Sequence, residues 1–226
     1  MPLRLLFILT ATLLALTSNA NARPILYARP IGQWTWVPAD ERVSSQINTG
    51  VINGRTQTVR NYTLSSNALG AGLSAGLVLG KNDSMEIGIE ASFSQFNGTY
   101  MVTDLMASNT ATGSTYSCTY KVTNVLAAFR HYLGRKESKF RPYYGLTLGE
   151  TRLQYPNLFS THSQSDDSDQ RSVTSGLGVG MTYKVTERIQ LEAGYRYSLA
   201  ATLSLNGLSD LMGKSQALSF SLRYNF

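Results

Sequence analysis

Ala217-Leu218-Ser219-Phe220-Ser221-Leu222-Arg223-Tyr224-Asn225-Phe226 alternates without a break and stops on an aromatic residue. Leu218, Phe220, Leu222, Tyr224 and Phe226 fall on one face, and Ala217, Ser219, Ser221, Arg223 and Asn225 on the other. Period-two alternation of this length predicts a β-strand with one apolar and one polar side. A closed membrane barrel can end on its most hydrophobic strand, because its last strand pairs with its first.

Working back from that strand, the same pattern recurs. Arg188 to Leu199 sets Ile189, Leu191, Ala193, Tyr195 and Tyr197 against Gln190, Glu192, Gly194, Arg196 and Ser198. Further alternating stretches run over Ser172–Tyr183, Lys139–Tyr155, Thr119–Leu133, Met85–Phe96 and Ala68–Gly80. An eighth strand is expected around Ile31 to Ser45, with Trp34 and Trp36 near its start. Short polar turns at Lys81–Ser84, Gly134–Ser138 and Lys184–Glu187 alternate with long connections at Gln46–Asn67, Thr99–Ser117, Pro156–Arg171 and Ala200–Gly213. Short turns at one end and long loops at the other predict an all-β, transmembrane, antiparallel up-and-down β-barrel of eight strands.

The face chemistry decides lipid against water. A soluble barrel would show its polar face to solvent and would carry many Lys and Glu there. Here that face is mostly Gly, Ser, Ala and Thr, which suits the crowded lumen of an eight-stranded barrel. Charged residues are only 15 % of the chain, below the usual quarter.

The amino terminus reads as an export signal. Arg4 is the positive region, Leu5 to Leu16 the apolar core, and Ala20-Asn21-Ala22 the cleavage site. The expected organisation is a signal peptide over 1–22 and a barrel domain over 23–226. The remaining charge of +5 is dispersed, so no nucleic-acid partner is implied. Cys118 is the sole cysteine, which excludes an internal disulfide.

Parity places six charges in the lumen: Glu86, Glu90, Arg130, Glu192, Arg196 and Arg223. Three acids and three bases make a neutral set, and a narrow lumen demands that they pair. The expectation is a structural ion-pair network that plugs the barrel; the alternative is a small-solute channel lined by the same groups.

Catalysis is not expected. His131 lies on the apolar face near a turn, and His162 sits in a flexible polar loop with Ser163, Asp166, Asp167 and Asp169. Neither has a scaffold that would preorganise a triad. The loop aspartates lack the glycine turn and closing glutamate of a calcium loop. No metal and no cofactor are expected.

Pro142-Tyr143-Tyr144-Gly145-Leu146-Thr147-Leu148-Gly149 resembles the Pro-Tyr-x-Gly-x-Gly-x-Gly strand of opacity-like outer-membrane barrels. Gly176 to Ser198 is similar to their penultimate hairpin. The likeness covers about half the mature chain and implies an eight-stranded barrel of the opacity and OmpA-OmpX type in the bacterial outer membrane. Phe220, Leu222, Tyr224 and Phe226 resemble the signal read by the barrel-assembly machinery. The resemblance further implies adhesion, surface protection or envelope stability through the long loops. The expected partners are outer-membrane lipid including lipopolysaccharide and an extracellular ligand, with the barrel acting as a monomer. Barrel lipid A deacylases carry a His-x-Ser-Asn motif on a late strand; Tyr195-Arg196-Tyr197-Ser198 has no histidine there.

Overall fold

In the computed structural model the alternating stretches become extended chain. Residues 24–38, 43–44, 48–52, 55–80, 82–104, 113–156, 167–200 and 213–226 are described. Their strands are β1 (Ile25–Trp36), β2 (Val43–Ser44), β3 (Asn48–Ile52), β4 (Arg55–Leu64), β5 (Asn67–Leu79) and β6 (Met85–Asp104). They continue as β7 (Gly113–Tyr132), β8 (Phe140–Pro156), β9 (Asp167–Lys184), β10 (Ile189–Ala200) and β11 (Lys214–Asn225). The expected signal peptide and His162 lie outside the described residues.

Eight of these strands close a barrel. β1 pairs antiparallel with both β11 and β5, in registers that include Trp34↔Leu218 and Trp34↔Leu69. The remaining neighbours β5, β6, β7, β8, β9, β10 and β11 pair in sequence order. Closure pairs the backbone groups that an open sheet would leave bare in lipid.

The first strand differs from expectation. It runs over Ile25–Trp36 rather than Ile31–Ser45. Tyr27, Arg29, Ile31 and Gln33 are buried, which sets one face inward. Pro30 has no N–H to donate, and the β1–β11 register skips from Ala28 to Ile31. The ladder on the β5 side continues through Pro30↔Leu73, so the strand survives its proline.

Two connections also hold more strand than expected. The segment between β1 and β5 contains β2, β3 and β4, and β4 pairs with the far end of β6 from Gln57↔Asp104 to Leu64↔Gly98. β6 and β7 remain paired out to Thr103↔Gly113, well inside the expected Thr99–Ser117 loop. At the opposite end the connections are tight. Gly80 and Gly134 adopt positive φ of 91° and 85°, where a Cβ would be strained.

Side chains sort by parity. Leu69, Leu73, Leu177, Val179 and Phe220 are exposed on the outer face, whereas Ser74, Glu86, Ser92, Thr174 and Arg223 are buried inside. An exposed aliphatic band is the surface that lipid covers. Aromatic contacts flank it: Phe140 with Tyr183 and Tyr224 with Phe226 near the short turns, and Trp34 with Trp36 near the long loops. Gln216 Oε1 accepts from Trp36 Nε1 at 2.9 Å and from the Tyr195 hydroxyl at 2.9 Å. Those polar tips mark where the apolar band meets the polar interface.

Candidate functional site

Register brings the charges together. Glu86 lies opposite Arg130 on β6 and β7, and Gln190 lies opposite Arg223 on β10 and β11. Because the barrel is narrow, side chains also meet across it. Arg223 Nη1 is 2.8 Å from Glu86 Oε2, and Arg196 Nη1 is 2.5 Å from Glu90 Oε1. Arg130 Nη1 is 2.8 Å from Glu192 Oε2, with Glu86 and Glu90 at 3.8 Å and 3.7 Å from its other nitrogens. Arg196 sits on the same strand as Glu192 yet pairs with Glu90 on β6.

Besides the buried Arg141, sequence reasoning missed Arg29. It lies at the centre of the cluster, with Nη2 3.0 Å from Glu86 Oε1 and Nη1 2.7 Å from Glu192 Oε2. Its signal was the alternation Tyr27-Arg29-Ile31-Gln33, visible only once the first strand starts at Ile25. Adding Arg29 corrects the expected neutrality. In the cluster Glu86, Glu90 and Glu192 now face Arg29, Arg130, Arg196 and Arg223, an excess of one positive charge, and the buried Arg141 at the short-turn end adds another.

The Tyr132 hydroxyl and a fifth arginine complete this layer on the short-turn side. The Tyr132 hydroxyl donates to Glu86 Oε2 at 2.6 Å and accepts from Arg223 Nη1 at 2.8 Å. Arg223 Nη2 also donates to Gln190 Oε1. Arg141 donates to the carbonyls of Asn82 and Asp83 at 3.0 Å and 3.1 Å, while its guanidinium lies 5.2 Å from the Tyr132 ring centre. Each of these arginines is therefore tied to a carboxylate or to backbone carbonyls. Removing one partner of a buried pair costs about 3–5 kcal/mol, because the other charge is left in low dielectric.

Tyr143 lies along the lumen wall over the neighbouring strands β9 and β10, and two glycines make room for it. A Cβ on Gly180 would lie 2.5 Å from Tyr143 Cζ, and one on Gly194 would lie 2.3 Å from its hydroxyl oxygen. The Arg130 guanidinium is 5.0 Å from the Tyr143 ring centre. Small residues on the lumen face are thus spaces for large neighbours.

Toward the long loops the lining becomes neutral. Gln33 Nε2 donates to Ser94 Oγ at 2.8 Å, Thr151 Oγ1 donates to Asn124 Oδ1 at 2.6 Å, and Thr151 and Thr174 hydroxyls meet at 2.6 Å. Phe96, Tyr120, Val122, Leu126 and Leu153 are buried beside them. Two cavities of about 40 Å³ each flank Arg196. One is lined by Glu90, Arg130 and Tyr143, and the other by Gln33, Asn124, Thr174, Ser198 and Ser215.

The other sequence-derived residues lie elsewhere. Phe220, Leu222 and Phe226 are exposed on the lipid face of the closing strand, and Tyr224 stacks edge-on to Phe226 at 5.0 Å. His131 stacks on Tyr144 at 5.3 Å near the short turns, away from the charge cluster. Among the described residues, no group of three His, Cys, Asp or Glu could hold a metal ion. On the turn after β9, Lys184 Nζ is 2.7 Å from Glu187 Oε1, and that hydrogen bond holds the exposed carboxyl below the usual carboxylate range.

The model of the outer membrane protein beta-barrel domain family matches residues 6–226. The chain belongs to that family. It therefore resides in the outer membrane. Comparison with solved structures finds similar barrels, of which the first named shares the fold of this family member. Neisserial surface protein A matches at 18% identity and a TM-score of 0.53, over 89% of this chain and 97% of that one. OprG of Pseudomonas aeruginosa matches at 17% identity and a TM-score of 0.46, over 89% and 96%. Ail, the attachment invasion locus protein of Yersinia pestis, matches at 15% identity and a TM-score of 0.45, over 89% and 97%. Comparison with curated protein sequences returned no match.

Proposed function

We propose that this protein is a non-enzymatic outer-membrane barrel with a plugged lumen, and that its extracellular strands and loops make the contacts that matter for function. The observation that carries this reading is the sheet that continues past the aliphatic band. β6 and β7 stay paired to Thr103↔Gly113, and β4 and β3 add to the β6 side. The added segments are rich in Thr, Ser, Asn and Tyr. A hydrogen-bonded platform of that kind holds a binding surface in place better than mobile loops would. The role it fits best is adhesion or stabilisation of the envelope through an extracellular ligand, with lipopolysaccharide around the barrel and the barrel-assembly machinery reading the last strand.

The alternative, passage of small solutes, is disfavoured by the Arg29, Glu86, Glu192, Arg223 and Arg141 layer.

The test replaces residues 99–117 by a short turn and measures binding of the refolded protein to host cells and matrix proteins. The expected result is an intact barrel that has lost the binding shown by the full chain. Undiminished binding by the trimmed barrel, or no binding by either form, would overturn the adhesive reading.

A further inference from the structure

Arg196 is held differently from the other three arginines of the ion cluster. Arg29, Arg130 and Arg223 each touch two or three glutamates, whereas Arg196 has Glu90 alone among the described residues. Glu90 is itself shared with Arg130 at 3.7 Å. Within the ion cluster, with Arg141 set apart on its backbone carbonyls at the short-turn end, the surplus positive charge therefore falls nearest Arg196, whose side chain keeps 16 % of its surface exposed while Glu90 is almost fully covered.

The surroundings of Arg196 are shaped to leave room beside it. Register places Gly178 on one side of it and Ala217 on the other. One residue pair further toward the long loops, Ser198 faces Ser215 across β10 and β11, with Gly176 opposite Ser198 on β9. Arg196, Ser198, Ser215 and Ala217 line the same cavity of about 40 Å³. That space takes an ion or a few waters, not an organic solute. A guanidinium and two hydroxyls present hydrogen-bond donors, and a surplus charge in a poorly hydrated lumen favours a counter-ion.

We propose that this cavity is a binding site for a single small monovalent anion of chloride size, held by Arg196, Ser198 and Ser215. The anion balances the surplus charge of the ion cluster and ties β10 and β11 to the groups below. The site is independent of the adhesive role and would exist in a barrel with any extracellular partner.

Bromide replaces chloride as the probe. Crystals of the refolded barrel grown in bromide are expected to show an anomalous peak within hydrogen-bond reach of Arg196, Ser198 and Ser215. In detergent micelles at fixed ionic strength, exchanging gluconate for chloride is expected to raise the urea midpoint of Trp34 and Trp36 fluorescence, rising with the logarithm of chloride once the site is half filled. Arg196→Gln is expected to abolish the chloride dependence, and the Ser198→Ala, Ser215→Ala double variant to shift it to at least tenfold higher chloride. Should Arg196→Gln fail to fold, the double variant decides. No bromide peak at Arg196, or the same chloride dependence in the double variant as in the natural chain, would overturn the proposal.

Discussion

The two halves of the lumen are packed by different physics. Near the short turns, Arg29, Glu86, Glu192, Arg223 and Tyr132 form one layer in which every carboxylate meets more than one cation. Near the long loops, hydroxyls and amides such as Gln33, Ser94, Asn124, Thr151 and Thr174 join through neutral hydrogen bonds beside a buried Phe96. The first arrangement is strong but intolerant, since each ion depends on several others. The second is weaker and adaptable, since a neutral group that loses its partner forfeits one hydrogen bond. A barrel built this way is anchored at one end and lightly filled at the other.

Substitutions separate the halves. Glu86→Gln should be the most damaging, because it strips a shared counter-charge from Arg29 and Arg223 together. Urea unfolding of the refolded barrel in lipid vesicles should show a loss of about 3–5 kcal/mol. Gly180→Ala acts at the boundary of the layers. It pushes a methyl into the Tyr143 ring, and the same measurement should register about 1–3 kcal/mol of overpacking. Thr151→Val in the upper half removes hydrogen bonds to Asn124 and Thr174 while keeping shape, and should cost about 1 kcal/mol. If Thr151→Val proved as harmful as Glu86→Gln, the contrast between the halves would fail.

The smallest effect lies outside the lumen. Lys184→Ala removes the hydrogen bond that lowers the Glu187 carboxyl, so its midpoint in an NMR titration should move up to the ordinary range. A carboxylate depressed in the folded state adds stability above its unfolded midpoint and loses it as pH falls through the folded one. The Lys184→Ala barrel should accordingly lack the small acid-side loss of stability that this pair contributes. An exposed pair of this kind contributes little compared with the lumen ions.

Much of this architecture is legible in the chain, and the exceptions have reasons. Glu86, Glu90, Arg130, Glu192, Arg196 and Arg223 could be set on one face because lipid forces Ile87, Ile89, Phe129, Leu191 and Leu222 to alternate with them. Arg29 could not, since Pro30 interrupts the reading of a strand and the Trp34-Thr35-Trp36 stretch draws attention past it. The paired ends of β6 and β7 were also hidden. Thr99-Tyr100-Met101-Val102-Thr103 lies beyond the aliphatic band, and there both faces of the sheet escape the demand for alternation. The same holds for β4, whose Thr-Gln-Thr-Val-Arg-Asn has no apolar side. Pairings across the lumen, such as Arg196 with Glu90, depend on barrel diameter, which no local pattern encodes.

Planar-bilayer recording of the purified full barrel tests the proposal of a plugged lumen most directly. A flat trace is predicted for the natural chain, with leakage appearing only when Glu86 or Arg141 is replaced. Reproducible single-channel steps in the natural chain, altered in size by Glu90→Ala or Arg196→Ala, would contradict it.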